Sequence, residues 1–345
     1  MNALAAPGLA DVVAGVIMMM LNAYVLTGGA DFGGGVWDLL ASGPRRNEQR
    51  QLIAEAIGPI WEANHVWLIL VVVVLFTCFP PAFARLAIVL HIPLSLMLIG
   101  IVLRGSAFTF RSQYGPEHGG PGGARERWGR IFAIASAGTP VLLGLCVGAL
   151  AGRGLPRPAG AGFYPTFVAP WLTPFGIAVG GLTLCLFAFL AAVYLTLETE
   201  DRALREDWRR RALIAAAAVF VVAFGALGLA MADGLRVGRG LTAGPAAATL
   251  HAATAMAAVT AIWALWRRHY RVARVAAAGQ VSMILWGWAL AQYPYLIPPD
   301  LTIRAAAAPR VTLVLVLWVL AAGALVLFPS LIYLFRVFKR APARP

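Results

Sequence analysis

Apolar runs near 20 residues long repeat along the chain, separated by short polar stretches rich in Gly, Pro and Arg. A helix of about that length spans the ~30 Å hydrocarbon layer of a bilayer. The runs predict helices near 9–40, 57–79, 82–104, 129–151, 171–197, 210–231, 247–266, 272–292 and 311–336. The expected fold class is all-α, a polytopic membrane protein of about nine transmembrane helices. Pro80 and Pro81 mark a tight break between the second and third helices. Arg267 to Arg274 forms another short connection. The largest loop, about 105–128, is rich in Gly and Arg and too short for a folded domain, so residues 1–345 read as a single transmembrane domain. The first run, Leu9 to Thr27, exceeds a signal-peptide h-region and lacks a basic n-region, so it reads as a retained helix.

Composition strengthens this picture. Of 345 residues, 60% are hydrophobic and 12% charged, against about 25% charged in soluble domains. The net charge of +13 raises the question of nucleic acid. The arginines sit in short loops between apolar runs, however, which is the pattern of a membrane protein with basic inner loops; no nucleic-acid partner is expected. With the N-terminus outside, nine spans put 21 of the 28 Lys and Arg in inner loops and seven in outer ones. That bias predicts an outside N-terminus and a cytoplasmic C-terminus. Cys78, Cys146 and Cys185 lie in apolar segments without a C-x-x-C pair, so neither a disulfide framework nor a metal site is expected.

The polar residues at membrane depth carry the candidate chemistry. A charge near the bilayer centre costs at least ~2.5–3.5 kcal/mol on the insertion scale, so such groups are paired, wet or functional. The stretch Gly58-Pro59-Ile60-Trp61-Glu62-Ala63-Asn64-His65-Val66-Trp67 opens the second helix. Glu62 and His65 are three apart and share a helical face, and Glu55 lies seven before Glu62 on the same side. Carboxylate, imidazole and amide in one turn point to a proton-transfer or ion site; the alternative is a polar knot that fixes packing. Asp31 lies in Gly28-Gly29-Ala30-Asp31-Phe32-Gly33-Gly34-Gly35, where glycines let a backbone or ligand approach closely. It is either a buried carboxylate or a helix-end cap. Gly29 and Gly33, Gly144 and Gly148, and Gly176 and Gly180 are spaced for helix packing. His91 and His251 are lone histidines without a bis-His or C-x-x-C-H context, which favours hydrogen-bonded packing over haem ligation. Arg104 ends the expected third helix, where its side chain can snorkel to the interface. Glu198, Glu200, Asp201, Glu206 and Asp207 mix with five arginines in an expected solvated charge network.

In this order the segments resemble subunit II of cytochrome bd-type quinol oxidases. The glycine-rich element resembles Thr27 to Gly35. The start of the second helix is matched by Pro59, Trp61, Glu62, Asn64, Val66 and Trp67. An Arg-x3-Phe-x-aromatic-Arg element is matched by Arg104, Phe108, Phe110 and Arg111, and a Leu-x-Pro-Phe-Gly element by Leu172, Pro174, Phe175 and Gly176. Gly28 replaces the family's first acid in the glycine-rich element, Glu62 its usual aspartate, and His65 a common glutamine.

The resemblance implies two four-helix bundles plus one peripheral helix, in a complex that oxidises quinol and reduces dioxygen to water. It implies haems b and d in a partner, subunit I, with no cofactor or metal held by this chain. A small accessory subunit, membrane lipids and quinone are the other implied partners, in a bacterial inner membrane. The expected proton pathway is Glu62, Asp31, His65 and Asn64; Trp61, Trp67 and Arg104 are expected at a subunit interface or in quinone or lipid contact. A proton- or cation-coupled transporter using the same cluster is the alternative.

Overall fold

A computed structural model describes residues 8–57, 61–113, 123–156 and 162–339; within these ranges the side chains of residues 61–63, 112–113, 335 and 337–339, Trp61 and Glu62 among them, lie outside the described residues. The chain begins with α1 (Leu9–Leu39), α2 (Arg46–Ile57), α3 (Trp61–Cys78), α4 (Pro80–Val89), α5 (His91–Gln113) and α6 (Ala124–Ala151). It continues with α7 (Phe163–Phe167), α8 (Pro174–Leu195), α9 (Arg202–Ala232), α10 (Arg236–Thr242), α11 (Gly244–Trp266) and α12 (Tyr270–Gln292). A two-stranded hairpin, β1 (Tyr295–Ile297) and β2 (Leu301–Thr302), then leads through α13 (Ile303–Ala306) to α14 (Arg310–Lys339). The protein is an all-α polytopic membrane protein.

Among the described residues, α1, α5, α6, α8, α9, α11 and α14 are each long and apolar enough to cross a membrane, and the bent pair α3 and α4 adds an eighth candidate. Helix α12 has 23 residues; its Arg271 and Arg274 make it more polar. Each of the nine expected segments overlaps a helix. The limits of the third change most, while α9 starts eight residues and α6 five residues before the expected helices. Instead of one helix over 82–104, Pro80 opens the short α4, which turns by 119° from α3. The long helix then starts at His91. Pro93 is its third residue, where the amide lacks an intrahelical acceptor and proline is tolerated.

Helices α3 and α6 each pack against α1, with α5 against α6, while α8, α9, α11 and α12 form a second group; α8 joins the two through α1 and α6, and α14 lies against α1 and α3. Glycine sets the closest crossings. A Cβ at Gly33 would strike the Phe187 carbonyl of α8. One at Gly144 would lie 2.6 Å from Gly180 Cα, and one at Gly148 2.7 Å from Gly176 Cα. Two glycine pairs, each four apart, therefore face each other across α6 and α8, so the backbones meet directly. Around Gly33 the approaching group is a backbone.

At the end of the molecule carrying the start of α1, Arg304 reaches Asp11 at 3.1 Å and Arg85 reaches Asp300 at 2.9 Å. These pairs tie the hairpin region to α1 and α4.

Candidate functional site

The buried chemistry is built on one face of α1. Asp31 and Asp38 are seven residues apart, about two helical turns. Both are buried. Asp31 Oδ1 accepts a hydrogen bond from Arg104 Nη2, and the two side chains are only 2% and 1% exposed. Arg104 Nε also donates to Ser136 Oγ of α6 at 2.9 Å. Its guanidinium lies over the rings of Phe32, 4.7 Å away, and Phe132, 5.1 Å away. Two elements, α1 and α6, thus supply the carboxylate, hydroxyl and aromatic faces that let the permanent cation of α5 remain away from water.

This differs from the expected position of Arg104 near the membrane surface. With α5 running from His91 to Gln113, Arg104 falls inside the helix, and Asp31 meets it there. Asp31 is a buried carboxylate within α1, since the helix continues to Leu39.

His65 joins this layer through Phe32: the imidazole and phenyl rings stack with centroids 6.0 Å apart. Tyr24 meets the same imidazole edge-on at 6.4 Å. Asn64 is buried beside it in α3, and its Nδ2 has no acceptor among the described residues. Glu62 and Trp61 occupy the first turn of α3, with their side chains outside the described residues. Glu55 belongs to the separate helix α2, is exposed, and accepts from Gln51 Nε2 at 2.8 Å. Trp67 is half-buried and lies 6.4 Å from the Phe328 ring of α14.

A second layer lies two turns along. Arg111 Nη1 donates to Asp38 Oδ1 at 3.0 Å, and Arg50 Nε lies 3.8 Å from the same oxygen. Burial lowers the pKa of the Arg50 guanidinium, while the Asp38 charge acts the other way. Asp38 is the floor of an open cavity of about 820 Å³ between α2, α5 and α6. Nearby, Arg45 makes a two-pronged contact with Asp207, at 2.8 and 2.7 Å. Glu206 gathers Arg209, Arg210 and Arg268, and Asp201 caps α9 through the amides of Ala203 and Leu204. The expected charge network is present, with Asp207 reaching to the loop after α1.

Sequence reasoning missed the Asp38–Arg111 contact, Ser136 and Tyr24. A signal for the first was available. Asp31 and Asp38 are seven apart, as are Arg104 and Arg111, so both pairs carry the same separation of 73 residues. Equal offsets require α1 and α5 to run parallel.

The lone histidines are peripheral. His91 Nδ1 lies 2.9 Å from the Ile88 carbonyl and His251 Nδ1 lies 2.8 Å from that of Ala247, both on exposed faces. Among the described residues no three His, Cys, Asp or Glu side chains cluster as a metal site.

Residues 9–338 match the family described as cytochrome bd terminal oxidase subunit II. This chain belongs to that family. A subunit 2 of the cytochrome bd ubiquinol oxidase of Bacillus subtilis is 27% identical over 225 residues, covering 63% of this chain and 62% of the relative. The cytochrome bd-I ubiquinol oxidase subunit 2 of Escherichia coli is 25% identical over 187 residues, 53% of this chain and 47% of the relative. The matched stretches therefore span about half to three-fifths of these curated relatives. The structure of bd oxidase from Geobacillus thermodenitrificans contains a chain of the same fold, with a TM-score of 0.74 and 20% identity. That match covers 97% of this chain and 99% of the other. In this subunit II the buried Asp31–Arg104 contact joins two elements singled out in the sequence: the glycine-rich stretch and the arginine that opens Arg-x3-Phe-x-aromatic-Arg.

Proposed function

We propose that this subunit II works within a membrane complex that oxidises quinol and reduces dioxygen to water, and that it supplies a route for protons drawn from the cytoplasm. In this reading haems b and d reside in a partner subunit I, and electron transfer takes place there. The chain lies in a bacterial inner membrane with its N-terminus outside and its C-terminus cytoplasmic, in contact with lipid, quinone and a small accessory subunit.

The observation that carries the reading is the buried layer in which Asp31 pairs with Arg104, and Arg104 and His65 both lie against Phe32. A carboxylate and an imidazole are groups that hold and pass protons at accessible pH. Glu62 begins the same helix three residues before His65, so a proton taken up there has an acceptor one turn further on. Arg104 keeps its charge at physiological pH and therefore holds the local field and orients Asp31 rather than carrying the proton. Asn64 and Trp61 flank this step; Trp67 faces α14.

The test is Glu62→Gln in the assembled complex. The substitution keeps size and removes titration. Slower oxygen consumption with reduced voltage generation is expected, with haem content unchanged. Wild-type turnover and voltage in fully assembled Glu62→Gln would end the relay role.

A further inference from the structure

The cavity above Asp38 has a composition that proton transfer does not explain. Five arginines line it: Arg46 and Arg50 of α2, Arg111 of α5, and Arg125 and Arg130 of α6. They face three carboxylates. Asp38 is taken up by Arg111 and approached by Arg50, Glu126 by Arg130, and Glu55 by the Gln51 amide. Arg46 and Arg125 have no carboxylate within ion-pair distance among the described residues, and both are exposed. The cavity therefore holds an excess of positive charge.

Backbone polarity adds to it. Arg46 and Asn47 are in the first turn of α2, and Arg125 and Glu126 are in the first turn of α6. Two helix N-termini thus open onto one concavity, and at the start of α6 the cap is Gly123, which offers no side-chain acceptor. Helix N-termini present free amides and a partial positive charge, which favours anions. At about 820 Å³ the cavity is far larger than a trapped water requires and falls within the range of small-ligand sites. Its wall also includes Phe108 and Ala54, so a ligand with an apolar portion finds contact there.

We infer that this cavity binds a phosphate-bearing anion, held by Arg46 and Arg125 over a floor that the Asp38 ion pairs keep rigid. Guanidinium forks match phosphate oxygens in pairs, which a point charge does not. The phosphate arrives either on a soluble molecule from the inner side or as the headgroup of an anionic phospholipid. The aromatic pair Phe110 and Trp128, stacked at 4.7 Å on α5 and α6, has the character of a membrane-interface anchor suited to the second source. The inference does not rest on the proton route.

The test uses the full chain purified with the subunits that accompany it, and two probes. Pyrophosphate is titrated calorimetrically, and retention of phosphatidylglycerol is followed by native mass spectrometry. Binding of either probe to wild type, weakened roughly tenfold or more in R46Q/R125Q, is expected, since each substitution removes a charge-assisted contact. Pyrophosphate binding identifies a soluble source, and phosphatidylglycerol retention alone identifies a lipid headgroup. Both arginines are exposed, and a salt titration of the wild type probes the same charges without substitution: affinity must fall as NaCl screens the site. Absence of binding by both probes, equal binding by R46Q/R125Q, or salt-independent affinity overturns the proposal. Glu62→Gln leaves probe binding unchanged, so failure of the proton route and failure of the anion site are separate results.

Discussion

Separating the partners of the Asp31–Arg104 contact should expose an asymmetry between them. Both side chains are at least 98% buried in the described chain. Asp31→Leu strands a guanidinium that retains Ser136 and the Asp31-position carbonyl as acceptors. Removing one member of a buried pair costs about 3–5 kcal/mol. The arginine cannot relieve this cost by losing its proton. Arg104→Met strands a carboxylate instead, and a carboxylic acid of ordinary acidity takes up a proton at pH 7 for about 4 kcal/mol, which caps the loss. The double variant Asp31→Leu/Arg104→Met removes both charges and is expected within about 2 kcal/mol of wild type, because apolar replacement of a whole buried pair is often neutral or stabilising. The coupling energy from the four-member cycle should then be about 3 kcal/mol or more. Reversible unfolding in mixed micelles, followed by circular dichroism, measures each value. Losses that simply add in the double variant would refute the reasoning.

Other expectations follow from packing and capping. Gly33→Ala directs a methyl at the Phe187 carbonyl and should cost about 1–3 kcal/mol in the same unfolding assay, while unchanged stability would mean that α1 and α8 are further apart. Gly144→Ala and Gly180→Ala meet at one crossing, so their losses should be non-additive in a double-variant cycle. Asp201→Ala removes the acceptor for two amides at the start of α9 and should cost about 0.5–2 kcal/mol, with faster amide exchange at Ala203 and Leu204.

The long apolar segments and the glycine faces were legible because each depends on local pattern. Gly144, Gly148, Gly176 and Gly180 declare close packing by spacing, and the structure pairs them with one another. Arg104 was legible as a residue but not in its depth. Its place depends on where α5 begins, and Pro93 looked like a helix-interior residue of 82–104 when it belongs to a first turn. The cavity could not be read in advance because its arginines come from three helices separated by up to 84 positions, and only tertiary packing brings Arg46 to Arg130. Ser136 is similarly silent: an ordinary helical serine becomes the second acceptor of Arg104 only once α6 crosses α5. The matched spacing of Asp31 with Asp38 and Arg104 with Arg111 was in the sequence throughout, and required comparing two helices rather than scanning one.

The separation of 73 residues between Asp31 and Arg104 also sets a schedule for biosynthesis. At about 5–20 residues per second, the ribosome adds those residues in roughly 4–15 s. During that interval α1 has its acid without its base, so the nascent helix must wait with Asp31 protonated, wet or held by the insertion machinery. The arrival of α5 ends the wait. A codon-dependent pause between α1 and α5 would therefore lengthen the interval in which Asp31 lacks its partner.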